Sequence, residues 1–155
     1  MHMNWIEEAV LAGGEIPINL GEVRFLKAQG FRAIVTLTEY ELTWLDTLRD
    51  VPFGALGFEL LHVPILDMHP PTKEQVSQVF AFLSRMRQAQ KPVYLHCEVG
   101  MGRTGTMLHA LLLMSGITLE EAKRTIETTR PLSRFSELTE RQQAFLQRLA
   151  KDLDV

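Results

Sequence analysis

Cysteine is nearly absent from this chain: of its 155 residues, only Cys97 carries a thiol. One cysteine cannot form a disulfide within the chain, which excludes the small secreted folds that depend on disulfide bridges. A free thiol is most compatible with a reducing compartment. We therefore expect a cytoplasmic protein.

Long hydrophobic runs and an excess of basic charge are also missing. The longest apolar run, at 107–114, is far shorter than the roughly 20 residues that a membrane-spanning helix needs. Residues 1–8 lack the basic start and apolar core of a signal peptide. The formal net charge is −3 at pH 7, whereas nucleic-acid-binding domains are more often basic. We expect no membrane anchor and no nucleic-acid partner, and we expect the protein to act as a monomer.

The overall composition is that of a globular domain. Hydrophobic residues make up 46% of the chain and charged residues 23%, which is enough apolar material for a packed core. The length is typical of one domain. We therefore interpret residues 1–155 as a single domain.

Short apolar segments alternate with longer amphipathic ones along the chain. The strands are predicted at 5–6, 10–12, 33–37, 58–63 and 93–95, and the helices at 19–29, 72–90, 104–115, 118–130 and from 136 onward, with a further short helix at 42–48. This alternation predicts an α/β fold in which helices cover both faces of a central, mostly parallel sheet.

Capping signals support several of the predicted helix starts. Asn19, Thr72 and Thr118 each precede a Glu or Gln by three residues, which is the spacing of a capping box. The helix after Thr72 carries one apolar stripe at helical period, consisting of Val76, Val79, Phe80, Leu83 and Met86. We expect this stripe to pack on the sheet.

The segment 93–106 combines a short apolar strand, a glycine-spaced loop and the start of an apolar helix. The loop contains Cys97 and, six positions later, Arg103. The first turn of a helix offers unpaired N–H groups and a positive dipole end, which favour both an anion and a thiolate. A guanidinium adds a planar pair of donors that matches phosphate oxygens. We predict a site for a tetrahedral dianion beside a nucleophile, with Gly100 and Gly102 at positive φ where the loop curves.

The same loop also fits a second pattern, because residues 100–105 read Gly-x-Gly-x-x-Gly, with Glu120 further on. This pattern is typical of dinucleotide-binding domains, in which the acidic residue follows a second strand. Glu120 is predicted in the first turn of a helix, and the pattern leaves Cys97 and Arg103 unexplained. A dinucleotide-binding domain therefore stays a less favoured alternative. A nucleotide P-loop is excluded because its lysine is missing.

The reading that uses every residue of the loop is a resemblance to the cysteine-based protein tyrosine phosphatases, whose signature is H-C-x-x-G-x-x-R-[ST]. The fixed positions are occupied by His96, Cys97, Gly100, Arg103 and Thr104. The sequence Gly-Arg-Thr-Gly-Thr at 102–106 is similar to the dual-specificity branch. Residues 62–71 resemble the general-acid loop of compact, atypical dual-specificity phosphatases and of small single-domain microbial tyrosine phosphatases, and the Arg-Pro pair at 130–131 also fits. The likeness covers roughly residues 5–149 and implies the fold of that family.

The resemblance implies a role for each matching residue. Cys97 would be the nucleophile, Arg103 the phosphate clamp and Asp67 the general acid and base. Thr104 would donate to the Cys97 sulfur, and His96 would orient the loop. The phosphate would be bound by backbone N–H groups of Glu98, Val99, Gly100, Met101 and Gly102. The mechanism requires no metal and no cofactor.

Other residues near the predicted site have roles that the sequence leaves open. Gln142 or Gln143 could position the hydrolytic water, as a glutamine does in relatives. Glu39 and Glu41 match an acidic loop near the site in relatives, but they fit a solvated loop equally well. His69 fits a surface loop better than a substrate contact.

Two residues depart from the family pattern. Leu66 stands where a proline usually precedes the general acid, and Met68 stands where an aromatic residue usually follows it. Both changes affect how the acid loop is held and how it closes.

The sequence predicts a protein phosphatase that hydrolyses phosphotyrosine, and also phosphoserine or phosphothreonine if the pocket is shallow. The alternatives are a phosphatase for a phosphoinositide or an RNA 5′-phosphate, and a phosphate-binding module with little turnover. Lipid and RNA phosphatases of this kind tend to carry basic residues in the loop. Here the variable loop positions are Glu98, Val99 and Met101, which favours a phosphorylated protein or peptide as the substrate.

Overall fold

Five strands form one mixed sheet in the computed structural model, which describes residues 1–155. The strands are β1 (Met3–Glu7), β2 (Leu11–Gly14), β3 (Ala33–Thr36), β4 (Glu59–His62) and β5 (Val93–His96). Their order across the sheet is β1-β2-β5-β3-β4, and only the edge pair β1–β2 is antiparallel. The predicted α/β fold with a mostly parallel sheet is confirmed.

Five α-helices connect and cover the strands. They are α1 (Leu20–Ala28), α2 (Lys73–Gln88), α3 (Gly102–Met114), α4 (Leu119–Thr129) and α5 (Glu140–Asp152), with 3-10 turns at Leu42–Trp44, Pro131–Ser133 and Phe135–Glu137. Asn19, Thr72 and Thr118 cap α1, α2 and α4, as predicted. None of the helices has the length and apolar character needed to cross a bilayer.

The last helix begins later than the sequence pattern predicts. Thr139 and Gln142 form a complete capping box that starts α5, whereas Ser136 lies in a 3-10 turn. The box satisfies two backbone N–H groups at once, and Ser136 has no such partner three residues on. The prediction of a helix start at Ser136 was therefore wrong.

Two further predictions need correction. The short helix predicted at 42–48 is a single 3-10 turn. In α2, Phe82 is buried in the core, whereas Phe80 is only partly buried and packs at its edge. Both positions lie near the border of the apolar stripe, where the helical period alone does not decide which side chain is covered.

The hydrophobic core lies on both faces of the sheet. Val93 and Leu95 of β5 contact the larger core, which includes residues of α2 to α5, while Tyr94 contacts a smaller core that includes residues of α1. This division follows from the alternation of side chains along a strand. The predicted placement of helices on both faces is confirmed.

Three loops follow neighbouring parallel strands at the same edge of the sheet. We name residues 97–101, after β5, the Cys loop; residues 37–41, after β3, the Glu39 loop; and residues 63–71, after β4, the acid loop. Because β5, β3 and β4 are adjacent and parallel, their carboxyl ends bring the three loops together, as is usual for sites in α/β sheets.

The smaller core offers a test of what holds β5 in place. Phe31 is fully buried, stacks on Trp5 at 4.5 Å and contacts Tyr94 edge to face at 5.2 Å, whereas Phe25 is 40% exposed. Phe31→Ala should lower the free energy of unfolding by about 3–5 kcal/mol, and Phe25→Ala by less than about 1 kcal/mol. Urea denaturation measures both. Equal losses would show that the smaller core contributes nothing specific to stability.

Candidate active site

Cys97 lies at the base of the Cys loop, directly after β5. Its side chain is 4% exposed, and the Thr104 hydroxyl donates a hydrogen bond of 3.2 Å to its Sγ atom. Helix α3 begins at Gly102, two residues earlier than predicted, so Thr104 lies within its first turn. The cysteine sulfur therefore faces the N-terminal end of a helix.

The backbone N–H groups around this sulfur have no acceptor within the protein. None of the N–H groups of residues 98–104 donates a backbone hydrogen bond, and the residue that precedes α3, Met101, provides no side-chain cap. Unpaired N–H groups at a helix start bind anions readily. The loop therefore presents a series of free donors of the kind that bind anions.

The Cys loop is supported from outside by its Gly100 carbonyl. That oxygen accepts hydrogen bonds from Arg130 Nε at 3.1 Å, from Arg130 Nη2 at 2.9 Å and from Ser133 Oγ at 2.9 Å. Arg130 is fully buried, and its Nη1 atom donates to Asn4 Oδ1 at 2.8 Å. The C=O and the following N–H of a trans peptide point in opposite directions, so this support turns the Met101 N–H away from Arg130.

The two loop glycines serve different purposes. Gly100 has a φ of +82°, as predicted, and a Cβ atom there would lie 2.3 Å from the Gly14 carbonyl oxygen. The same prediction for Gly102 was wrong, because Gly102 is the first residue of α3 and does not have a positive φ. A Cβ atom on Gly102 would lie 3.3 Å from Nε2 of Gln142. Its missing side chain makes room for that amide.

Of the two glutamines that the sequence left open, Gln142 is the one beside the Cys loop. Its side chain is 1% exposed and lies against Gly102. Gln143 instead donates to the carbonyls of Phe135 and Leu138, both at 3.1 Å. A role in positioning water stays a prediction, and it now applies to Gln142.

His96 is a buried, neutral residue that links the Cys loop to the neighbouring strand. Its Nδ1 atom must donate to the Cys97 carbonyl, at 2.7 Å, because a carbonyl can only accept. Its Nε2 atom then accepts from the Thr36 hydroxyl at 2.9 Å. Burial lowers the pKa of His96 to about 4, so the ring is uncharged at neutral pH.

Arg103 is buried with one edge of its guanidinium occupied and the other free. Its Nη1 atom donates to the Ile65 carbonyl at 3.0 Å and to the Glu39 carboxylate. Its Nε atom has no hydrogen-bond partner and lies 3.6 Å from Asp67 Oδ1. The Nε–Nη2 edge is therefore available for two oxygens of one anion.

The two glutamates of the Glu39 loop differ in position. A hydrogen bond from its own backbone N–H and the bond from Arg103 lower the pKa of Glu39, so its carboxylate is ionised beside the guanidinium. Glu41 is exposed and lies 3.8 Å from His62 Nδ1, away from Arg103. Only Glu39 is in contact with the predicted site.

Asp67 lies on the acid loop with its side chain 68% exposed. Its Oδ1 atom accepts from the Met68 N–H at 2.9 Å. The carboxyl group thus reaches the guanidinium from the solvent side. His69 contacts the acid loop itself and helix α5, through Asp67 and Arg141.

Arg130 and Ser133 are the residues whose contacts sequence reasoning missed. They lie about thirty positions from Gly100, and no local period connects them. The Arg-Pro pair at 130–131 entered the sequence analysis only through the resemblance to the phosphatase family, which predicted no contact for it. The acid that a dinucleotide site would need is not at a strand end, because Glu120 lies in the first turn of α4.

The constraint on Gly100 can be tested with a matched glycine. In Gly100→Ala the new Cβ atom would meet the Gly14 carbonyl oxygen and, at 2.6 Å, Arg130 Nη2. We expect affinity for inorganic phosphate, measured by calorimetry, to fall more than about tenfold. Gly116 has a φ of +92° with nothing within 4 Å of a Cβ atom, so Gly116→Ala carries the backbone strain of about 1–2 kcal/mol without the clash. Equal affinities in the two variants would contradict the proposed packing.

The buried His96 predicts how stability depends on pH. Its pKa is about 4 in the folded protein against 6.5 for the free side chain, so the unfolded chain binds more protons between these values. The contribution of His96 to the free energy of unfolding should be fully present above pH 6.5. It should decrease by about 3 kcal/mol as the pH falls from 6.5 to 4. Urea denaturation at several pH values in that range measures the free energy of unfolding. We expect it to depend less steeply on pH in His96→Asn than in the wild type. Parallel slopes for His96→Asn and the wild type would show that His96 is not responsible.

Comparison with known proteins agrees with this geometry. The family model described as "Polymorphic toxin system, DSP-PTPase phosphatase" matches residues 14–117. The human protein "Phosphatidylglycerophosphatase and protein-tyrosine phosphatase 1" is 28% identical over 135 residues, which cover 83% of this chain and 66% of the relative. The dual specificity protein phosphatase OPG106 of vaccinia virus is 36% identical over 61 residues, 37% of this chain and 34% of the relative. The chain thus spans two thirds or less of these relatives.

Solved structures show the same architecture. The active form of Tk-PTP superposes with a TM-score of 0.78 at 28% identity, over 96% of each chain. PTPMT1 in complex with PI(5)P superposes with a TM-score of 0.79 over 98% of this chain and 96% of that one, at 22% identity, a level at which the likeness concerns the fold alone. The dinucleotide-binding alternative has no support among these relatives. The chain belongs to the DSP-PTPase phosphatase family.

Proposed function

We propose that this chain is a protein phosphatase that hydrolyses phosphotyrosine through a phosphocysteine intermediate. The observation that carries the proposal is the set of unpaired N–H groups at 98–104, which directly follow Cys97 in the chain, together with the free edge of Arg103. A phosphoryl group offers three oxygens for these donors and a phosphorus atom for the sulfur. Binding and positioning of this kind account for most of the catalysis of phosphoryl transfer.

In the first step, the Cys97 thiolate attacks phosphorus and the bond to the leaving oxygen breaks. Asp67 in its protonated form gives its proton to that oxygen, so the alcohol or phenol departs neutral. Arg103 and the loop N–H groups bind the phosphoryl oxygens while charge develops on them. The Thr104 hydroxyl, 3.2 Å from the sulfur, stabilises the thiolate.

In the second step, water attacks the phosphocysteine. The Asp67 carboxylate takes a proton from the water, the S–P bond breaks, and the thiolate of Cys97 is restored together with inorganic phosphate. Gln142 lies against the start of α3, where its amide can orient the water. His96 holds the Cys97 carbonyl and thereby the start of the loop.

The surroundings of the loop favour a peptide over a highly anionic substrate. The side chains of the variable loop positions include no lysine or arginine, and Glu98 is exposed beside the Tyr40 hydroxyl at 3.0 Å. A second phosphate on the substrate would meet this carboxylate. Exposed apolar side chains that suit a peptide lie on the acid loop (Leu66 and Met68), on the Cys loop (Val99) and on the 3-10 turn that follows the Glu39 loop (Trp44).

One kinetic comparison tests the proposal. We expect kcat/KM to be at least about tenfold higher for a phosphotyrosine peptide than for a phosphoinositide or an RNA 5′-triphosphate. Cys97→Ser should abolish turnover of every substrate while inorganic phosphate still binds, because the N–H groups and Arg103 remain. Higher activity on the phosphoinositide would overturn the substrate class, and residual turnover by Cys97→Ser would overturn the covalent mechanism.

A further inference from the structure

Helix α5 begins directly against the acid loop. The Thr139 hydroxyl donates to the Met68 carbonyl at 3.1 Å, and Arg141 Nη1 contacts His69 Nε2 at 2.6 Å. A longer contact of 3.4 Å joins Gln142 Nε2 to the His69 carbonyl. The first turn of one helix therefore reaches the two residues that follow the predicted general acid.

The hydrogen bonds of His69 have a fixed direction. Its Nδ1 atom lies 2.9 Å from the Asp67 carbonyl oxygen, which can only accept, so Nδ1 carries the proton. Its Nε2 atom then presents a lone pair to the Arg141 guanidinium, which can only donate. A single neutral tautomer thus joins Arg141 through His69 to the backbone of Asp67.

Within the acid loop, the His69 N–H donates to the Leu66 carbonyl at 3.0 Å, and the Asp67 backbone N–H is directed at the Glu39 carboxylate. Ile65 is buried and its carbonyl is held by Arg103, but Leu66 and Met68 are 58% and 61% exposed and pack little of their surface. Met68 also has a φ of +67°, a conformation that costs energy in a residue with a side chain. The polar contacts from α5 are well placed to hold this conformation.

We propose that His69 and Arg141 are positioning residues that hold the acid loop so that Asp67 stays beside Arg103. The inference rests on the proposed function, in which Asp67 protonates the leaving group. A poor leaving group needs that proton, whereas an activated one departs with little help. The His69–Arg141 pair therefore determines how well the enzyme cleaves unactivated esters.

Paired aryl phosphates measure this role. For Arg141→Ala we expect kcat for phenyl phosphate to fall about tenfold, with KM changed less than twofold, and kcat for 4-nitrophenyl phosphate to change less than twofold. Arg148→Ala is the matched control, because Arg148 is exposed on the same helix and makes no side-chain hydrogen bond. It should match the wild type on both substrates.

Two further variants separate positioning from a general loss of structure. His69→Asn keeps a donor for the Asp67 carbonyl, but its shorter side chain has no acceptor at the position of Nε2, where Arg141 binds, so it should reproduce Arg141→Ala. Arg141→Lys keeps a donor and should restore most of the activity on phenyl phosphate. Both results would support the proposal that the hydrogen bond between His69 and Arg141 positions the acid loop.

A double variant tests whether Arg141 acts through Asp67. In an Asp67→Asn background, Arg141→Ala should cause no further loss, since the group that it positions is already inactive. Equal losses on both substrates, no loss on either, or an additive loss with Asp67→Asn would overturn the role of the pair. A wild-type protein inactive on both substrates would instead overturn the proposed function itself.

Discussion

The hydrogen bonds that Arg130 and Ser133 donate to the Gly100 carbonyl hold the Cys loop in its shape. They draw one carbonyl outward, where a buried guanidinium compensates it. The N–H groups of the same loop then have no acceptor in the protein. Unpaired backbone groups cost free energy, and the hydrogen bonds to the Gly100 carbonyl remove that cost for the acceptor while leaving the N–H groups free for a ligand.

The sheet determines which groups meet this loop. Adjacent parallel strands end at one edge, and each is followed by one functional group of the site: the thiol after β5, the Glu39 carboxylate after β3 and the Asp67 carboxyl after β4. Arg103 lies between the two carboxyl groups. Glu39 occupies one nitrogen of the guanidinium and leaves the other edge free, so the fold orients the arginine before any anion arrives.

The sequence allowed the order and type of most elements to be predicted, because strand and helix periods and capping residues are local signals. The contact between Cys97 and Thr104 was implied by the resemblance to the phosphatase signature, and the positive φ of Gly100 followed from the glycine spacing of the loop. The positive φ predicted for Gly102 was wrong because α3 begins two residues earlier than the apolar pattern indicates, so Gly102 is already helical. The contact of Arg130 with Gly100 could not be predicted, because tertiary hydrogen bonds between distant positions have no period.

The antiparallel edge strand limits whether the strand–loop–helix segment around Cys97 can keep its structure in another protein. Asn4 of β1 accepts from the guanidinium that supports the Cys loop, so the outermost strand belongs to the same network as the innermost one. Transplanting the strand–loop–helix segment into another α/β scaffold would carry over the nucleophile but none of this external bracing. A designer would have to rebuild the buried arginine and its amide acceptor as well.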